Sequence, residues 1–109
     1  MKHLTVEQKK VLNKMKQEGT YRDARSCIKH VKPISLRCHE SMLFKIMKKY
    51  LEFRNWNKSF KTKYFNNIFC DCPLTGGEIR GAIRYGNRNN LLKIISGTRG
   101  NHSYKIKEN

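Results

Sequence analysis

Acid is what this sequence has least of. Eight Asp and Glu stand against 24 Lys and Arg in 109 residues, a formal net charge of +16. Between Ile79 and Lys107 there is no carboxylate side chain, while seven basic ones occur. Solubility asks for only about 2–8 net charges on a small domain. The excess therefore calls for an anionic partner, whether a phosphate backbone, an anionic lipid surface or an acidic protein. So few carboxylates, with no close pair among them, argue against metal-dependent hydrolysis. Gly76-Gly77 lacks the following Lys and the preceding strand of a phosphate-binding loop. An enzyme is not expected.

Long apolar runs are missing too. Nothing approaches the 18 or so residues of a membrane span, and MKHLTVEQKK has no apolar stretch of the signal-peptide kind, so no membrane partner is expected. The expected location is cytoplasmic, nucleoid-associated if the partner is DNA. In that compartment Cys27, Cys38, Cys70 and Cys72 are expected as free thiols packed like small apolar residues. The alternative is zinc held by Cys27 and His30, one helical turn apart, with Cys70 and Cys72 as the second pair, although C-x-C is an unusual spacing for it. No cofactor is otherwise expected. Internal repeats and low-complexity segments are absent.

What is present is a chain sized for one domain, with eleven aromatics spread along its length. The basic residues are spread likewise, ten in 1–40, seven in 41–70 and seven in 71–109, which describes a basic body rather than a basic tail. Thr5 to Gln17 reads as a helix, with Val6, Val11, Leu12 and Met15 as its apolar positions, Thr5 and Gln8 in capping-box spacing and Gly19 past its end. Thr20 and Asp23 repeat a start signal, and Ala24, Cys27, Ile28 and Val31 continue a helical rhythm until Pro33 stops it. A third helix, capped by Ser35 or Ser41, carries Met42, Leu43, Ile46, Met47, Tyr50, Leu51 and Phe53 on one face. After a break at Asn55-Trp56-Asn57, residues 58–69 interleave aromatics with lysines and favour a short helix over a strand. Cys70 to Pro73 reads as a hinge between a helical body, 1–69, and a head, 74–109.

In the head, Thr75 caps a helix whose first turn contains Glu78 and whose apolar positions are Ile79, Ala82 and Ile83. Gly86 is expected to make a turn, Asn87 to cap a second helix running to Ser96, and Gly97 to close it. Ala82, Gly86, Leu92 and Ile95 then stand at a spacing that resembles the helix-turn-helix and winged-helix DNA-binding modules. The run from Asn87 to Lys107, with Gly97, Arg99, Gly100, Tyr104 and Lys105, also looks like the small DNA-binding repeat at the C-termini of intron-encoded endonucleases. These resemblances imply a mainly α fold, a small helical domain with a C-terminal helix-turn-helix and a short β wing. They further imply base contacts from Asn87, Arg88, Asn89, Asn90 and Lys93, since Arg suits guanine and Asn suits adenine. Phosphate contacts would come from Arg80, Arg84, Arg99, Lys105 and Lys107, with Arg99 and Asn101 at the tip of the wing.

The expected function is therefore binding of nucleic acid, duplex DNA before RNA, by a helix-turn-helix transcriptional regulator or accessory factor of phage or mobile-element type. One alternative is a basic factor docking on an acidic host protein through the apolar face of residues 42–53. Another is RNA binding through Trp56, Tyr64 and Phe65, as aromatics set among lysines can stack bases. The plainer reading of Arg88 to Asn90 is a polar turn, and that of helically spaced aromatics is core.

Overall fold

A capping box opens the first helix of the computed structural model, which describes residues 4–22, 36–63, 65–98 and 101–107. Thr5 Oγ1 accepts from the Gln8 amide and the Gln8 side chain accepts from the Thr5 amide, so two otherwise orphaned donors are satisfied at the start of α1, Val6–Glu18. Of its expected apolar positions Leu12 is buried and Met15 packs against the core, whereas Val6 and Val11 face outward. The second start signal, at Thr20, does not start a helix. Thr20 Oγ1 donates to the Lys16 carbonyl, and Thr20–Arg22 is a short strand, β1, paired antiparallel with β2, Leu36–Cys38. The rest of the expected second helix, with Cys27 and His30, lies outside the described residues.

The third expected helix forms as α2, Glu40–Phe53, with His39 at its N-cap position in place of either serine. It supplies six buried side chains: Leu43, Phe44, Ile46, Met47, Tyr50 and Leu51. Fully burying each such side chain is worth about 1.5–3 kcal/mol, so this helix is the spine of the core. The segment 58–69 resolves into two pieces, strand β3, Phe60–Lys61, and a single turn of helix, α3, Phe65–Ile68. Phe60, Phe65 and Phe69 are all buried and meet edge to face or tilted against one another and against Tyr50.

The Cys70–Pro73 segment read as a hinge carries Asp71, whose carboxylate accepts from the Tyr50 hydroxyl, the Leu4 amide and the Arg54 guanidinium. Beyond it, Thr75 and Glu78 form a second capping box at the start of α4, Gly76–Arg88. Ile79, Ala82 and Ile83 are buried, as their spacing predicts. Then the expectation fails. Helix α4 runs unbroken through Gly86, and no second helix spans Asn87–Ser96; Leu92–Thr98 is instead a strand, β4, hairpinned to β5, Asn101–Ile106. With β3 these form an antiparallel sheet in the order β3-β5-β4. Among the described residues the architecture is four helices, a two-stranded ribbon and this small three-stranded sheet, sharing one apolar core.

Gly86 has a different task from the one expected of it. A Cβ there would lie 2.7 and 2.8 Å from Leu92 Cγ and Cδ1 and 2.8 Å from Phe44 Cε2. The glycine lets α4 seat against α2 and the start of β4, and the backbone reversal falls to Asn90, in the left-handed region at φ 60°.

Candidate nucleic-acid interface

Burying Ile79, Ala82, Ile83 and Gly86 turns the opposite side of α4 to solvent. On it stand Arg80, Arg84, Asn87 and Arg88, all exposed. The three arginines recur every fourth residue, a rise of about 6 Å per step, so they form one slowly drifting stripe. Glu78, the acid nearest them on this helix, is occupied elsewhere. It closes the Thr75 box and pairs with Lys16 Nζ at 2.9 Å. Burial pushes the Glu78 carboxyl up, but the bonds from Lys16 and Thr75 outweigh it and hold it below its ordinary value. Glu40 Oε1 lies 3.9 Å from the Arg84 guanidinium, with both side chains more than a third exposed; such a pair contributes little. Among the described residues neither Arg80 nor Arg88 has a carboxylate partner.

The asparagines divide by task. Asn87 is on the exposed stripe. Asn89 is the C-cap of α4, its Nδ2 donating to the Tyr85 carbonyl at 2.9 Å, and Asn90 makes the turn while its Oδ1 accepts from Lys107 Nζ at 2.7 Å. The Leu91 amide donates to the Gly86 carbonyl, tying the start of the hairpin to the helix, and the Lys107 amide donates to the Leu91 carbonyl, closing the far end of the hairpin against that start. The polar-turn reading thus describes Asn89 and Asn90, which hold structure where base contacts were expected.

The hairpin adds a second basic surface. Its register sets Lys93 directly opposite Lys105, and both are exposed. Residues directly opposite share a face, and like charges placed so are destabilising by a few tenths to about 1 kcal/mol. Alternation puts Lys107 on that face with Lys105, and the pairing of Lys61 with Ser103 adds Lys61. Of the wing residues, Arg99 lies outside the described residues and Asn101 is placed only as the first residue of β5. Leu92, Phe60 and Ile106 pack on the inner side, while Ile94 and Ile95, at an irregularity in the edge strand β4, remain about half exposed.

Of the surfaces named by the other readings, Trp56 stays partly exposed at the edge of the core. The apolar face of α2 is covered by α4 and the core, and Phe65 is fully buried. Tyr64 lies outside the described residues. Among the described residues no three His, Cys, Asp or Glu side chains gather as metal ligands. Of the expected zinc set, Cys70 is exposed, burial pushes the Cys72 thiol up to about 11, and Cys27 and His30 lie outside the described residues. Among the described residues no helix is long and apolar enough to cross a membrane.

Comparison with known protein families, characterised proteins and solved structures finds no match to this chain.

Proposed function

We propose that the protein binds duplex DNA, as a small transcriptional regulator or accessory factor, with α4 as the recognition helix and the β4–β5 hairpin as a flanking wing. The observation carrying this reading is the exposed stripe of Arg80, Arg84, Asn87 and Arg88 on a helix whose other side is locked into the core. Rigid presentation matters, because a helix already packed in the core adds no backbone-ordering cost to that of fixing its side chains at binding. The succession α2, β3, α3, α4, β4, β5, with β5 in the centre of the sheet, resembles the winged-helix arrangement. This moves the reading residues one helix earlier than the sequence pattern suggests. Arg84 and Asn87, nearer the middle of the stripe, address bases, while Arg80, Arg88, Lys93 and Lys105 hold phosphates.

Selection from a random duplex pool followed by gel retardation tests the assignment. Arg84→Ala and Asn87→Ala are expected to relax the preferred sequence, each losing about 1–3 kcal/mol of discrimination. Arg80→Ala and Arg88→Ala should weaken all sequences alike and reduce the salt slope by about 1 each. Asn89→Ala and Asn90→Ala should leave the preference intact. Loss of preference in those last two variants, with Arg84→Ala and Asn87→Ala unaffected, would place the reading element elsewhere.

A further inference from the structure

A groove of about 680 Å³ opens between the C-terminal half of α2, the loop after it and the end of β5. Leu51 and Phe60, both buried, contribute to its floor, and Trp56 lines it. Among the described residues Lys48, Lys58, Lys105 and Lys107 stand around it with Glu52 as the one carboxylate, so the groove is apolar and aromatic within and cationic at the rim. Its volume lies in the range of small-molecule sites.

The loop that carries the tryptophan is fixed. Asn55 takes a left-handed conformation at φ 53°, its amide donating to the Glu52 carbonyl, and the Trp56 amide returns to the Leu51 carbonyl at 2.9 Å. The indole N–H donates to the Ser59 carbonyl, and the ring meets the buried Phe69 edge-on, with centroids 4.9 Å apart. Trp56 is therefore half-buried and held, with its polar group already satisfied inside the protein. What it offers a ligand is a flat π surface, and what the rim offers is ammonium groups. A partner complementary to both has an aromatic ring and a phosphate attached to it through a short linker.

We infer that this groove binds an unpaired nucleotide, its base stacked on Trp56 and its phosphates held by Lys48, Lys58, Lys105 and Lys107. Either a free nucleotide or the exposed end of a nucleic-acid strand has this chemistry. Paired bases are excluded, because their faces are stacked within the duplex. The site is distinct from the α4 stripe, and it depends on the duplex reading only in sharing Lys105 and Lys107 with the wing.

Trp56 is the sole tryptophan of the chain, so indole fluorescence of the full-length protein reports on the groove alone. Titration with a 5′-phosphorylated oligothymidylate of about six nucleotides, within the usual length of single-strand sites, should quench the emission. The double variant Lys48→Glu/Lys58→Glu, both exposed positions outside the α4 stripe and the wing, should weaken that quenching about tenfold or more. At a salt concentration that screens distant charges its duplex binding should fall far less than its quenching, and its circular dichroism should be unchanged. Adenosine monophosphate quenching with the same sensitivity to the double variant identifies a free nucleotide as the source; quenching by the oligomer alone identifies a strand end. Emission unaffected by both probes, or quenching indifferent to the double variant, overturns the proposal. A parent protein that shifts duplex DNA without answering either probe would retain the recognition-helix reading and lose this one, and the reverse result would do the opposite.

Discussion

Asp71 draws together three separate parts of the chain at one carboxylate. Its carboxylate is 9% exposed and faces the Arg54 guanidinium, itself 6% exposed, at 3.2 Å, and it also receives the Tyr50 hydroxyl and the Leu4 amide. Burial pushes its carboxyl up, but the hydrogen bond from Tyr50, the Leu4 amide and the charge of Arg54 outweigh it, and the group sits below its ordinary value. The same contact, acting after burial, raises the Tyr50 hydroxyl. A carboxyl depressed in the folded state stabilises the fold fully above its unfolded value of about 4, and that contribution disappears as pH falls through the folded value. The urea midpoint should therefore drop steeply below about pH 4, and the drop should be shallower in Asp71→Asn. At neutral pH the same variant removes the Asp71 charge from beside the buried Arg54 guanidinium, a loss of up to about 3–5 kcal/mol. A variant with the parent's urea midpoint at pH 7 would mean that Arg54 finds water or another acceptor on losing Asp71.

Helix α4 shows how far the sequence carries at the level of elements. Its start was legible because Thr75 and Glu78 at capping-box spacing meet a local requirement, four unpaired amides, that does not depend on tertiary context. The same is true of Thr5 and Gln8 in α1. The buried positions Ile79, Ala82 and Ile83 followed from periodicity, as did most of α2. The end of α4 was illegible because glycine has two uses: it relieves a left-handed backbone, and it also admits a close neighbour. Sequence suggested the first for Gly86, and the molecule uses the second, with Asn90 taking the turn. Once the turn moves four residues on, Leu92 to Ile95 fall beyond the helix, and their β-branched pair joins a sheet whose other strands lie at 60–61 and 101–106. Long-range pairing of this kind leaves no local mark. The exposed stripe inherits the error in part: Arg80, Arg84, Asn87 and Arg88 were recognisable as basic and polar candidates, but their common face appears only when the helix is continuous. The two glycines of α4 give the test. Gly81→Ala meets Leu43 Cδ1 at 3.6 Å and Glu40 Cγ at 3.8 Å, ordinary contacts, so the gain in helix propensity should stabilise by about 0.5–1 kcal/mol. Gly86→Ala gains the same propensity, but it forces its way into the Leu92 and Phe44 side chains, an overpacking that costs about 1–3 kcal/mol. Thermal midpoints should rise for the first and fall for the second, by about 4–8 °C per kcal/mol. A rise for both would mean that Gly86 is not a packing residue.

At the scale of the whole molecule, a charge of +16 acts against the fold and in favour of the partner. Lys93 faces Lys105 across the sheet with Lys61 and Lys107 on the same face, and the arginine stripe lies on α4, which packs against β4. Folding brings these charges together, and the extended chain keeps them apart. Among the described residues Arg54–Asp71 is a buried ion pair and Lys16–Glu78 a half-buried one, while Lys49–Glu52 and Arg84–Glu40 are exposed, weak and readily screened. Added salt therefore screens repulsion more than attraction. The thermal midpoint should rise as sodium chloride goes from about 0.01 to 0.2 M, a range over which the Debye length shrinks from about 30 to below 10 Å. Over the same range affinity for DNA should fall steeply, because the released counterions that drive binding become less valuable. The two quantities move in opposite directions from one cause, self-repulsion that only an anion relieves. A short duplex at low salt should accordingly raise the midpoint more than sodium chloride of equal phosphate or chloride concentration, through preferential binding to the folded state. A midpoint that falls with salt in the free protein would show that attractive pairs dominate the surface, and the excess of lysine and arginine would then carry no argument for a polyanionic partner.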